Sequence, residues 1–96
     1  MILSERRTDQ GLLVTVCDAE VLGETFEDDS VSIEVTEDFY GGEPVETETV
    51  VEALSRATIA NLVGRESVAL AIEEGFVDEE RVLDVGETRH AQYLRL

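Results

Sequence analysis

Leu12, Val14 and Val16 recur at every second position, the period of an extended strand with one buried face. With residues 2–7 and the polar turn Asp9-Gln10-Gly11 before them, they predict a β-hairpin. A second alternation, Val31, Ile33 and Val35 against Ser32 and Glu34, predicts a half-buried strand. Residues 19–25 read as a helical turn weakened by Gly23, and Phe39-Tyr40-Gly41-Gly42-Glu43-Pro44 as a loop.

Further along, the apolar period changes to that of a helix. Val50, Ala53, Leu54, Ala57 and Ala60 fall on one helical face, and Thr49-Val50-Val51-Glu52 has the form of a capping box. The spacing predicts a helix over 50–63 that Gly64 stops as a left-handed cap. Ser67 then caps a second helix through Glu74, with Val68, Ala71 and Ile72 inward and Gly75 at its end. Val82–Val85 reads as a short strand or the end of a turn. Residues 91–96 read as a strand whose Leu94 and Leu96 face the core. The order predicts a single α+β domain over residues 1–96: a small mixed or antiparallel sheet of four to five strands, with a two-helix hairpin packed on one face.

Composition changes the picture mainly through charge. The chain has 23 carboxylates and 7 basic residues, all Arg, for a net charge of -16, yet its 43% apolar content is that of a folded protein. At low ionic strength such a charge opposes compaction; in molar salt, with a Debye length of about 3 Å, that cost largely disappears while hydrated carboxylates keep the surface soluble. Arg is also more weakly hydrated than Lys and forks onto carboxylates. These features point to the cytoplasm of a salt-in halophile. The competing reading, an acidic nucleic-acid mimic or chaperone-like protein in ordinary salt, requires acids on one face, whereas here they are scattered over predicted strands, helices and turns. Apolar runs of four or five residues, such as Val68–Ile72, are too short for a membrane helix, and the Met1-Ile2-Leu3-Ser4-Glu5-Arg6-Arg7 start reverses the order of a secretory signal.

One cysteine and one histidine exclude an intrachain disulfide and a Cys/His zinc framework; a carboxylate-only magnesium or calcium site is the alternative left, against which Asp28-Asp29 and Glu79-Glu80 lack the spaced ligands and turn glycine of a calcium loop. No metal and no cofactor are expected. The 50–63 and 67–74 helices have helix-turn-helix spacing, but the second ends in Glu73-Glu74, so DNA binding in that mode is rejected. Charge is uneven: residues 1–48 hold 14 acids and two Arg, whereas residues 81–96 hold two acids and three Arg. That tail also carries the sole histidine. Arg89, His90 and Gln92 suit phosphate, RNA or a partner's carboxylate, while the bland alternative pairs these arginines with the chain's own acids. Tyr40, beside two glycines, offers a stacking surface.

Phe39-Tyr40-Gly41-Gly42-Glu43, Asn61-Leu62-Val63-Gly64 with Ser67-Val68, Glu74-Gly75, and Gly86 leading to His90-Ala91-Gln92 resemble a small archaeal family of unknown function, in its haloarchaeal form. Relatives tend to have proline where this chain has Arg89. The resemblance implies a compact α+β domain in an archaeal cytoplasm and no established activity. The leading expectation is a non-enzymatic binding module in which Tyr40, Asn61, Arg89, His90 and Gln92 meet a protein or ribonucleoprotein partner, with a link to translation; no catalytic residue is assigned and the oligomeric state is open. The alternative is a small hydrolase-like or transferase-like enzyme using Cys17 and His90. The charge argument has its own check: far-UV dichroism is expected to show lost structure or a lower melting temperature below about 0.5 M salt, and a fold indifferent to salt would defeat it.

Overall fold

The computed structural model describes residues 1–95. Strand β1 (Ile2–Thr8) returns antiparallel as β2 (Gly11–Cys17), as the alternation predicts, with Ile2 opposite Cys17 and Thr8 opposite Gly11. Gly11 has φ 125°, and a Cβ there would strike the Thr58 side chain, so the turn requires glycine. A 3-10 turn (Ala19–Val21) leads to a separate hairpin of β3 (Thr25–Glu27) and β4 (Ser32–Glu34). Then come one helical turn α1 (Glu37–Tyr40), the short β5 (Glu43–Pro44), α2 (Thr47–Arg56), β6 (Ile59–Val63) and α3 (Arg65–Glu73). A second 3-10 turn (Glu79–Arg81) precedes β7 (Leu83–Val85) and β8 (Thr88–Leu94).

The main sheet runs β5-β1-β2-β6-β8-β7, antiparallel except for the parallel pair β2–β6. A parallel pair needs a crossover, and that crossover contains α2. Leu12, Val14, Val16, Ala60, Leu62 and Ala91 point to one face, where α2 contributes Val50, Ala53 and Leu54 and α3 contributes Val68 and Ala71. On the other face Cys17 and Val63 meet Val21, Val35 and Tyr40, so the β3–β4 hairpin and α1 cover part of it.

The expected four to five strands are therefore corrected to six, plus the two-stranded hairpin. The helical hairpin over 50–63 and 67–74 is corrected as well. Residues 59–63 form an inner strand, since Ala60, Leu62 and Val63 are buried between β2 and β8, and ladder pairing on both edges overrides an apolar spacing compatible with a helix. Helix α2 begins at Thr47 rather than 50, and Glu52 is held by Arg56 instead of closing a capping box. Phe39 and Tyr40 end α1 rather than lying in a loop, because the Thr36 hydroxyl accepts the Phe39 N–H. Leu94 is 60% exposed and does not face the core; Leu96 lies outside the described residues.

Gly64 precedes α3 instead of ending a helix, and the cap of α3 comes from a distant segment. Asp18, 4% exposed, accepts the Glu66 N–H at 3.0 Å on Oδ2 and, on Oδ1, the Ser67 N–H at 2.8 Å and the Ser67 hydroxyl at 2.7 Å. Its charge lies at the positive end of the helix and satisfies amides that lack helical partners. A Cβ on Gly64 would collide with that carboxylate, and its φ of 119° independently favours glycine. Asp18→Ala would leave these buried donors unpaired; urea denaturation should show a loss of about 2–3 kcal/mol, and a negligible loss would deny the carboxylate its anchoring role.

Candidate functional site

Ladder partners share a sheet face, so the registers define what the half-covered face presents. One row is Leu13, Ile59 and Leu94; the next is Thr15, Asn61 and Gln92; the third is Cys17, Val63, His90 and Leu83. Toward β1 this surface is closed by α1, where Thr15 Oγ1 donates to the Phe39 carbonyl at 3.2 Å and Arg6 donates to the carbonyls of Asp38 and Phe39. Toward β7 it opens. Gln92, Leu94 and Leu83 are exposed, and Leu13, Ile59, Asn61 and His90 are half-buried. None of the 23 carboxylates occupies a main-sheet position on this face, whereas Glu5, Glu43 and Asp84 fall on the opposite one.

The structure brings three expected site residues together: Asn61 and Gln92 are ladder partners, and His90 is one row away on the same face. Tyr40, in the α1 layer that covers part of this face, is 5% exposed, and burial raises its pKa, so it packs rather than offering a stacking surface. Arg89 projects to the opposite face. Its Nε donates to Asp84 at 3.0 Å and its terminal nitrogens to Glu79, and these bonds raise its pKa. Arg95 likewise lies over the stacked rings of Phe76 and Tyr93 and donates to the Ser55 carbonyl.

Burial lowers the His90 pKa, which keeps the imidazole neutral at pH 7, and its Nδ1 is buried with no hydrogen-bond partner among the described residues. The pairing of Cys17 with His90 lacks the geometry for nucleophilic chemistry. Val63 separates them in the ladder, placing them two strand spacings, about 10 Å, apart. Cys17 has no exposed surface, and burial, followed by the nearby Asp18 charge, pushes its pKa up to about 11.

Pairing of β8 with β7 stops at His90, so among the described residues no strand covers the outer edge of residues 91–94. Arg81, Gln92 and Leu94 bound a depression of about 480 Å³ beside that edge. Sequence reasoning missed Leu13, Ile59, Leu83 and Leu94 as parts of this surface. Their apolar character marks a core position, and only the extent of the covering layer shows otherwise. Among the described residues no helix is long and apolar enough to cross a membrane.

The family described as "Protein of unknown function (DUF424)" matches residues 5–96. No curated protein matches the chain. An uncharacterized conserved protein from Methanopyrus kandleri, known from a crystal structure, superimposes with a TM-score of 0.79 at 20% identity, over 99% of this chain and 92% of that one, a likeness of fold. The thiol at the margin of this face gives a direct check on its burial. Iodoacetamide labelling of Cys17 at pH 8 should be slow and should track unfolding, since the folded thiol stays protonated until the pH approaches about 11; rapid labelling of the native protein would contradict it.

Proposed function

Since the chain belongs to the DUF424 family, which prescribes no activity, we propose from its own geometry that it is a non-enzymatic binding module of a halophilic archaeal cytoplasm, docking through the open face of β6, β8 and β7. The observation that carries this reading is the absence of carboxylates from the main-sheet positions of that face in a chain of net charge -16. Elsewhere acids keep the surface hydrated; here Ile59, Leu94 and Leu83 lie beside the amides of Asn61 and Gln92, the mix of apolar area and adaptable hydrogen bonds that suits a protein partner.

A protein fits better than RNA. The one cation among the main-sheet positions of this face, Arg6, is engaged by backbone carbonyls, so the face has little with which to neutralise phosphate. The acidic remainder of the chain favours a partner with an apolar centre and a basic margin. Proteins of ribonucleoprotein machinery, including that of translation, carry such basic margins because they neutralise phosphate themselves. Asn61, His90 and Gln92 act in this reading as polar contacts among the apolar ones, while Tyr40 packs within the layer that covers the remainder of the face.

Leu94→Asp places a charge on the face without touching the core. Captured from a halophilic host at high salt, a partner bound by the wild type should lose about 2 kcal/mol of affinity for the variant, roughly thirtyfold, and Glu79→Gln on the other side should leave affinity unchanged. Hydrogen exchange in the complex should slow at β6 and β8. Equal binding by wild type and Leu94→Asp would overturn the proposal, as would retention of RNA alone.

A further inference from the structure

The main sheet finishes its two sides differently. Sheets commonly blunt an exposed edge with charge, proline or a very short strand, because its unpaired backbone groups otherwise template another chain. Strand β5 follows that rule, being two residues long with Glu43 and Pro44. The end of β8 does not. Ala91-Gln92-Tyr93-Leu94 carries no charge and no proline, and β7 stops pairing at His90.

Backbone hydrogen bonds fix which groups of that segment face outward. The Gly64 N–H donates to the Arg89 carbonyl and the Arg95 N–H to the Thr58 carbonyl, so the odd-numbered residues of β8 bond to β6. Bonding and non-bonding pairs alternate along an antiparallel ladder, which turns the N–H and C=O groups of Gln92 and Leu94 away from β6. Strand β7 ends too early to receive them.

Depressions flank this edge on both sides. Phe76, Val77, Asp78 and Tyr93 line one of about 360 Å³ on the helix face, and Ile59, Gln92 and Leu94 bound the one of about 480 Å³ on the open face. A strand laid along β8 would send successive side chains alternately to the two sides. Ile59 and Leu94 suit an aliphatic side chain; Asp78 beside the rings of Phe76 and Tyr93 suits a cation on an aliphatic stem. Charge agrees with that assignment. Glu73, Glu74, Asp78 and Glu80 are exposed in the segment that passes this edge, Glu79 is held by Arg89, and the one cation there, Arg81, makes only a solvent-exposed 4.0 Å pair with Asp78. The same acids disfavour a second copy of this chain, since two acidic margins would meet.

We propose that the partner docks by strand addition: an extended peptide segment of alternating aliphatic and basic residues pairs with Gln92 and Leu94, beside β8 where β7 leaves off. Main-chain bonds supply affinity in this mode and the flanking pockets supply specificity. The inference rests on the docking-face reading and names the element that the partner brings to it.

The test uses the full chain in fixed, high KCl, with the end-capped heptapeptide Arg-Val-Arg-Val-Arg-Val-Arg as probe. Fluorescence anisotropy should give a saturable one-to-one isotherm, and the same peptide N-methylated at every amide should bind at least about tenfold more weakly. Gln92→Pro removes an outward N–H and spares the bonds to β6, so it should weaken binding at least about tenfold more than Gln92→Ala, which keeps that N–H. Amide exchange in the wild type requires no variant to fold: the Gln92 and Leu94 N–H groups should exchange quickly in the free protein and slowly with peptide, while those of Ala91 and Tyr93 stay protected throughout. Absence of a saturable isotherm, equal binding by the N-methylated peptide, or unchanged exchange at Gln92 and Leu94 under saturation overturns strand addition. Should that happen while Leu94→Asp still weakens partner capture, the docking face stands and only the mode of pairing falls. Sedimentation as a dimer, with the same two amides protected before peptide is added, would assign the edge to a second copy and overturn the proposal too.

Discussion

The carboxylate of Asp18 sits where the positive end of α3 meets the carboxyl ends of β2 and β6, and most of the architecture is organised around that contact. The Asp18 backbone N–H donates to the Val63 carbonyl at 3.1 Å, while its side chain takes two amides and a hydroxyl from the first turn of α3. One residue therefore fastens the sheet's parallel pair and sets where the following helix starts. Gly64 completes the arrangement, since any larger residue would occupy the carboxylate's space. A helix N-terminus of this kind would ordinarily invite an external anion; the chain supplies its own.

From this anchor the two faces of the sheet diverge. On one, α2 and α3 pack against the sheet in a core that includes the small side chains of Ala53, Ala57, Ala60, Ala71 and Ala91. Tyr93 closes the margin, donating its hydroxyl to the Leu54 carbonyl at 2.7 Å and stacking on Phe76. On the other face the small hairpin and α1 reach only part of the way across. The rest is a surface of aliphatic, amide and imidazole side chains in a molecule otherwise covered in acids.

The β1–β2 hairpin was legible because its two-residue period, polar turn and turn glycine all agree. Much of the core was legible too, since Leu12, Val14, Val16, Val50, Leu54, Val68 and Ala71 are buried as their spacing implies. Residues 57–63 were misread because Ala57 and Ala60 satisfy a helical spacing while Ala60 and Leu62 also satisfy a strand's, and five residues are too few to separate the periods. Ser67 resembled an N-cap, but its hydroxyl donates to Asp18, 49 residues away. Of the candidate site, Asn61, His90 and Gln92 share a face as ladder partners and neighbours, while Arg89 alternates to the other side. A strand reverses side-chain direction at each residue, so adjacency in sequence separated Arg89 from His90 instead of joining them.

The sequence by itself determined the class of fold, the solvent-facing charge and the absence of a Cys/His metal framework, because these follow from composition and short-range periodicity. Only the tertiary structure decided which apolar residues remain uncovered and which acids converge. Leu94 and Leu62 are both leucines on strands, yet one is exposed and the other buried, according to how far the opposing layer extends. Asp18 and Glu66 acquire their relationship only when β2 and β6 lie side by side. That pairing is a long-range contact, and no local pattern in the chain encodes its outcome.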